Sequence, residues 1–353
     1  MDDRIRGVNL SGWFIPEPWV TPSLFAATGA STDAELQENL GTVEYNERIR
    51  QHYETFITEE DFRRMSSIGL NAVRIPVPWH VFGLQNDAAT YISAIDYIDR
   101  AMEWGSKYNV SVLLDLATVP GGQGDSNEPQ TTSRYIADWH SSTNGRHVAL
   151  EVLERLAARY AVADALYGIE LLDSPVMSVR KNMFTMTDGI PGHYLRNFYR
   201  DAYDLLRKHM TNDKAVVFSA SGYPGLWKHF MRSSQYKNVM MDVHLYHYHD
   251  ENAQDITSPR GLSAAIARNK AQIREAVGTG FPVIGEWSAA AVMSSASVTP
   301  EGRSAYERVF VANQLASFSQ AEGWFFQTWK TEKRIAAWDA RLALGTLERA
   351  MLD

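Results

Sequence analysis

The chain has 353 residues, 45% of them hydrophobic and 22% charged, which is ordinary for a globular protein and ample for a large buried core. A net charge of −8 without any basic run argues against a nucleic-acid binder. There is no cysteine, hence no disulfide, and no apolar run long enough for a membrane span. Residues 1–6 form no apolar leader segment. The expectation is a cytoplasmic monomer that acts on a small-molecule substrate, with no nucleic-acid or membrane partner.

Short β-rich apolar runs alternate with longer helical patterns along the whole chain. A strand is predicted at 7–10, then a helix at 59–67 and a strand at 72–76. A helix at 92–107 leads to a strand at 111–116, and a helix at 148–160 to a strand at 167–172. A helix at 194–209 precedes strands at 215–219 and 239–244. Helices at 263–276 and 302–320 then bracket a strand at 282–285, and the last strand is 323–329. Strands alternating with crossover helices predict parallel pairing. Eight of them at this spacing predict an α/β fold, a (β/α)8 TIM barrel forming a single domain over 1–353.

In such a barrel, chemistry gathers where strands end. The residues at those ends are Asn9, Arg74, Asp115, Asp173, Ser174, Ser219, His244, Tyr246, Glu286, Gln327 and Trp329. Any one of them could be a simple cap or loop hydrogen bonder; their convergence on one rim favours function. Other features carry less. His247 and His249 lack the i,i+4 helical spacing of a zinc motif, and no metal is expected. The glycines of 121–124 do not open a βαβ nucleotide fingerprint, so no cofactor is expected. Residues 135–139 are a candidate lid, and Met177, Met183 and Met186 follow the fourth strand.

Several motifs occur in a telling order. Gly7-Val8-Asn9-Leu10-Ser11-Gly12-Trp13 runs on to Glu17-Pro18-Trp19, followed by Gly69-Leu70-Asn71-Ala72-Val73-Arg74-Ile75-Pro76. Later come His244-Leu245-Tyr246, Gly285-Glu286-Trp287-Ser288 and Trp329-Lys330-Thr331-Glu332. This series resembles the exo-β-1,3-glucanases of glycoside hydrolase family 5. The resemblance implies a retaining glycosidase, in which two carboxylates about 5–5.5 Å apart flank the scissile bond. Glu286 matches the family's nucleophile. Arg74, His244 and Tyr246 match its supporting residues, and Glu17 and Trp19 match its first loop. Asp173-Ser174-Pro175 stands where the family has Asn-Glu-Pro, so a serine replaces the acid/base glutamate. A serine hydroxyl has no suitable pKa for proton donation at neutral pH, and losing general acid help costs roughly 10²–10⁴ in rate. Ala117 stands where the family has a histidine, and Gln327 where it has a tryptophan under the reactive sugar.

These departures lead to an expectation of an enzyme turned to non-hydrolytic acid–base work. Glu286, Asp173, His244, Tyr246 and Arg74 would be its catalytic set; Glu17, Trp19, Ser174, Ala117, Gln327 and Trp329 would bind substrate. Cyclisation, isomerisation or dehydration of a small apolar intermediate fits that set, with negligible hydrolysis of β-1,3-glucan. The first alternative is a residual retaining hydrolase or transglycosidase with Glu286 as nucleophile. The second is a non-catalytic carbohydrate or metabolite binder, whose affinity would survive Glu286→Gln.

Overall fold

The structure is a computed structural model. It describes residues 4–85, 90–122, 139–142, 144–182, 185–248, 255–293 and 299–345. His249, Met183 and most of the 135–139 segment lie outside them.

Eight parallel strands close a barrel in chain order. They are β1 (Ile5–Asn9), β2 (Ala72–Val77), β3 (Ser111–Leu116), β4 (Leu166–Glu170), β5 (Ala215–Ser219), β6 (Val239–His247), β7 (Pro282–Ala291) and β8 (Gly323–Phe326). All eight predicted strands are present. β8 ends earlier than its apolar run suggests, leaving Gln327 and Trp329 beyond it.

Successive strand side chains alternate between the barrel interior and the helical shell. Ile5, Ala72, Leu113, Ala215, Val217, Val283 and Phe325 pack together as the barrel floor. Their neighbours Val73, Val112, Ile169, Val216 and Ile284 face outward into the main core. The floor needs a glycine at position 7, where a Cβ would lie 2.3 Å from the Phe325 ring. Two residues above the floor, the same inward faces present Asn9, Arg74, Asp115 and Ser219.

Among the described residues, seven longer helices surround the strands. They are α1 (Asp33–Thr55), α2 (Glu59–Ser67), α3 (Ile95–Tyr108), α4 (Gly145–Tyr160), α5 (Gly192–Leu206), α6 (Pro259–Thr279) and α7 (Pro300–Ser317). Their starts follow local chemistry. Thr58 and Asp61 form a reciprocal capping box on α2, and Ser258 and Thr299 cap α6 and α7 ahead of a proline. The α1 helix was missed in sequence because its polar face is broad and Gly41 (φ 72°) kinks it. Between β5 and β6 the described crossover is only a 3-10 turn, Pro224–Trp227. No helix among the described residues is long and apolar enough to cross a membrane.

Candidate active site

Arg74 stands at the centre of the barrel mouth and is fully buried. Its Nε donates to Glu170 Oε2 at 2.8 Å, and its Nη2 donates to Asp173 Oδ1 at 2.9 Å. Its Nη1 donates to Asn9 Oδ1 at 3.0 Å and to Glu286 Oε1 at 3.2 Å. Asp115 lies 3.2 Å away and Asp242 4.0 Å away. One cation cannot hold so many buried carboxylates ionised. Burial, resisted by Arg74, pushes the carboxyls of Asp115 and Glu170 well above their ordinary range.

Glu286 reaches this centre because of a bulge. Asp242 pairs with Val283 and His244 with Glu286, so β7 carries one extra residue between the two pairs. Without it, Val283 and Glu286 could not both face inward. Gly285 occupies the bulge, and its carbonyl accepts from Asn9 Nδ2 at 2.9 Å. A Cβ there would lie 1.8 Å from Asp242 Oδ1. Tyr246 donates its hydroxyl to Glu286 Oε2 at 2.7 Å. Burial, with Asp173, outweighs the pull of His244, Arg74 and Tyr246 and raises the Glu286 carboxyl above its ordinary value.

His244 lies against Glu286. Its Nδ1 is 3.4 Å from Glu286 Oε2, and its Nε2 pairs with Asp242 Oδ2 at 2.6 Å. Burial favours the neutral ring, but Asp242, Glu286 and Asp173 outweigh it and raise its pKa well above the ordinary value. Ser174 Oγ sits 3.0 Å from the same Nδ1. Glu17 is buried and accepts from Trp19 Nε1 at 2.8 Å. Burial, together with Glu286 and Asp173, raises its carboxyl to about 8 against the pull of Trp19.

The structure therefore brings Arg74, Asp173, His244, Tyr246 and Glu286 together, with Ser174 beside them. Ala117 is buried just beyond β3, its amide donating to Val77 O. Gln327 is buried, and its Oε1 accepts from Ser11 Oγ at 2.9 Å. Its Nε2 has no partner among the described residues.

Trp329 is a correction. It is fully buried and donates Nε1 to Asp61 Oδ1 at 2.8 Å, so it faces α2 rather than the pocket. Trp338 comes to the rim in its place. It packs edge-on against Trp19 and Tyr248 and tilts onto Tyr246, with centroids 5.3, 4.8 and 5.6 Å away. Nothing in the local sequence marks it, because it arrives through the turn after β8. Asp242 was missed too, although Asp242, His244 and Tyr246 alternate along one strand face. Glu170 was passed over as strand interior.

Among the described residues, two donor groups are close enough to hold a cation: Asp115 with Glu170 and Asp173, and Asp173 with Asp242 and His244. In each, the carboxylates already face a cation of the protein, Arg74 in the first and His244 in the second. His247 turns away from the mouth, its ring nitrogens against Asn269 and Arg268.

Residues 29–317 match the family described as Cellulase (glycosyl hydrolase family 5). The chain is 30% identical to the glucan 1,3-beta-glucosidase of Schwanniomyces occidentalis, covering 95% of this chain and 85% of that one. It is 31% identical to the probable glucan 1,3-beta-glucosidase A of Emericella nidulans, covering 99% and 91%. A crystal structure of the rutinosidase from Aspergillus niger superposes with a TM-score of 0.78 at 18% identity, over 99% of this chain and 98% of that one, a likeness of fold. Relatives named as glucan hydrolases along nearly the entire chain overturn the expectation of a non-hydrolytic cyclase, isomerase or dehydratase. The site agrees with that correction, since a ring of carboxylates around a buried arginine is a poor receptacle for an apolar intermediate. With its match over most of the sequence and its barrel-mouth glutamate, the chain belongs to glycoside hydrolase family 5.

Proposed function

We propose that the protein is a retaining β-glucosidase acting on β-1,3-linked glucosides, with Glu286 as nucleophile. The carrying observation is the Glu286 carboxylate at the barrel mouth, with one oxygen on Arg74 and the other on the Tyr246 hydroxyl. These donors fix its orientation and favour its charge, as a nucleophile requires. The names of the full-length relatives supply the substrate class. Trp19, Trp338, Tyr246 and Tyr248 form an aromatic wall at the rim, suited to the apolar face of a pyranose. Glu17, held protonated at neutral pH by burial, is a donor for a sugar hydroxyl.

The test is intact-protein mass after incubation with 2,4-dinitrophenyl 2-deoxy-2-fluoro-β-glucoside. This reagent brings its own good leaving group, so it isolates the nucleophilic step. A stable mass increase that maps to Glu286 and disappears in Glu286→Gln is the expected result. A folded protein that acquires no adduct and releases no glucose from laminaribiose would overturn the reading.

A further inference from the structure

Ser174 occupies the position where the family resemblance placed a glutamate, and its surroundings are unusual. Its backbone is left-handed, with φ 36°. That turn brings its hydroxyl to 3.0 Å from His244 Nδ1, while His244 Nε2 lies 2.6 Å from Asp242 Oδ2. The nitrogen that meets Ser174 also lies 3.4 Å from Glu286 Oε2. Hydroxyl and nucleophile thus meet the same ring nitrogen. Ser174, Asp242, His244 and Tyr246 all line a cavity of 660 Å³, shared with Ser219 and Tyr223.

We propose that Ser174, His244 and Asp242 form the proton-transfer chain of this glycosidase, Ser174 delivering to the leaving oxygen a proton drawn from His244. The inference rests on Glu286 being the nucleophile. In the first step the bond from C1 to the glycosidic oxygen breaks and a bond from C1 to a Glu286 oxygen forms. The departing oxygen takes the Ser174 proton, Ser174 takes the Nδ1 proton, and His244 becomes neutral. In the second step water attacks C1 and frees Glu286. Its proton passes to Ser174 as the Ser174 proton returns to Nδ1. Asp242 holds the ring in place throughout and stabilises its charged form.

A serine beside a histidine and an aspartate also suggests a nucleophilic serine. The charges decide against it. Asp242 and Tyr246 face the ring from its own strand, Glu286 from β7 and Asp173 from the turn after β4, with Arg74 behind Asp173 and Glu286. Three carboxylates favour the imidazolium, which donates to Ser174 and cannot deprotonate it. The hydroxyl, inadequate alone, becomes a relay.

The experiment compares Ser174→Ala and Ser174→Gly with the parent on two substrates. Glycine accepts the left-handed turn, so it guards against misfolding in the alanine variant. On laminaribiose, a poor leaving group, kcat/KM should fall roughly 10²–10⁴-fold. On 2,4-dinitrophenyl β-glucoside, which needs no acid, it should fall less than about 10-fold. Asp242→Asn should move the alkaline limb of kcat/KM on laminaribiose to lower pH, because His244 would lose a charge that keeps it protonated. Equal losses on both substrates, an unmoved alkaline limb, or covalent capture of Ser174 by a fluorophosphonate would overturn the proposal. If the parent enzyme forms the Glu286 adduct, such a result overturns the proton chain alone; if it forms none, both readings fall.

Discussion

Arg74 settles the charge state of the barrel mouth. Its guanidinium forms short contacts with Asp115, Glu170, Asp173 and Glu286. Burial raises the carboxyls of Asp115, Glu170 and Glu286 alike, and at each of them the cation's pull works against that rise. Tyr246 adds a charge-assisted hydrogen bond to Glu286, a type worth roughly 1.5–3 kcal/mol. Tyr246→Phe should therefore raise the Glu286 pKa and shift the acidic limb of kcat/KM to higher pH. Turnover should fall about 10–100-fold, read from pH-rate profiles on an aryl β-glucoside. An unmoved acidic limb would show that the phenol does not tune the nucleophile. At this scale the motifs made Arg74, His244, Tyr246 and Glu286 legible. Trp329 misled, because a tryptophan beside a strand end can face either way and only packing against Asp61 decided it. Trp338 was illegible, being placed by a turn with no strand periodicity to reveal its direction.

The eight strands act through a single parity. Floor residues and site residues alternate with outward residues, so an apolar–polar sequence along the inward face places the chemistry above the packed floor. β7 breaks this parity at the Gly285 bulge, and β4 breaks it between Leu166 and Gly168. Gly285→Ala should be severe despite adding one methyl, because the new Cβ would meet the Asp242 carboxylate. Overpacking of this kind costs about 1–3 kcal/mol. The displaced carboxylate should also leave His244, so turnover of laminaribiose should drop more than stability alone explains. Thermal unfolding and kinetics on the same sample measure both effects; a variant with parent stability and rate would show that the bulge has slack. The strands were readable from their apolar runs, but the bulge was not. Its signal, one residue too many between two inward positions, appears only once the pairing with β6 is known. No helix is predicted between β5 and β6, and the crossover there holds only a short turn.

Buried titratable groups, at the rim and away from it, give the molecule its pH behaviour. Burial pushes His52 down to about 4 and His80 to about 3. Below the ordinary value of 6.5 the unfolded chain binds protons that these native rings refuse, so stability is lost as pH falls from about 6.5. Glu17 and Asp33 act in the opposite sense. Burial raises them to about 8 and about 7, so the native state keeps protons that the unfolded chain releases above about 4.5, and stability is lost as pH rises through that window. His80 stacks on Tyr91 with centroids 3.8 Å apart. His80→Phe keeps an aromatic ring there and removes the titration. Relative to the parent, it should gain about 2 kcal/mol between pH 7.5 and pH 5, read as the change in urea-unfolding free energy. A parallel shift of parent and variant would show that His80 titrates normally. None of this was visible in the sequence, where a histidine shows its identity but not its burial.

Closure of the barrel also has a consequence for the order in which the chain is made. β1 pairs on one side with β2, at Gly7 and Ala72, and on the other with β8, at Ile5 and Gly323. During synthesis the second edge of β1 stays open until nearly all of the chain has emerged. Its backbone donors and acceptors form a template for any passing strand throughout that interval. A ribosome that stalls before β8 would release a sheet with two bare edges, one on β1 and one on β7. Such a fragment would be a seed for aggregation rather than a smaller enzyme.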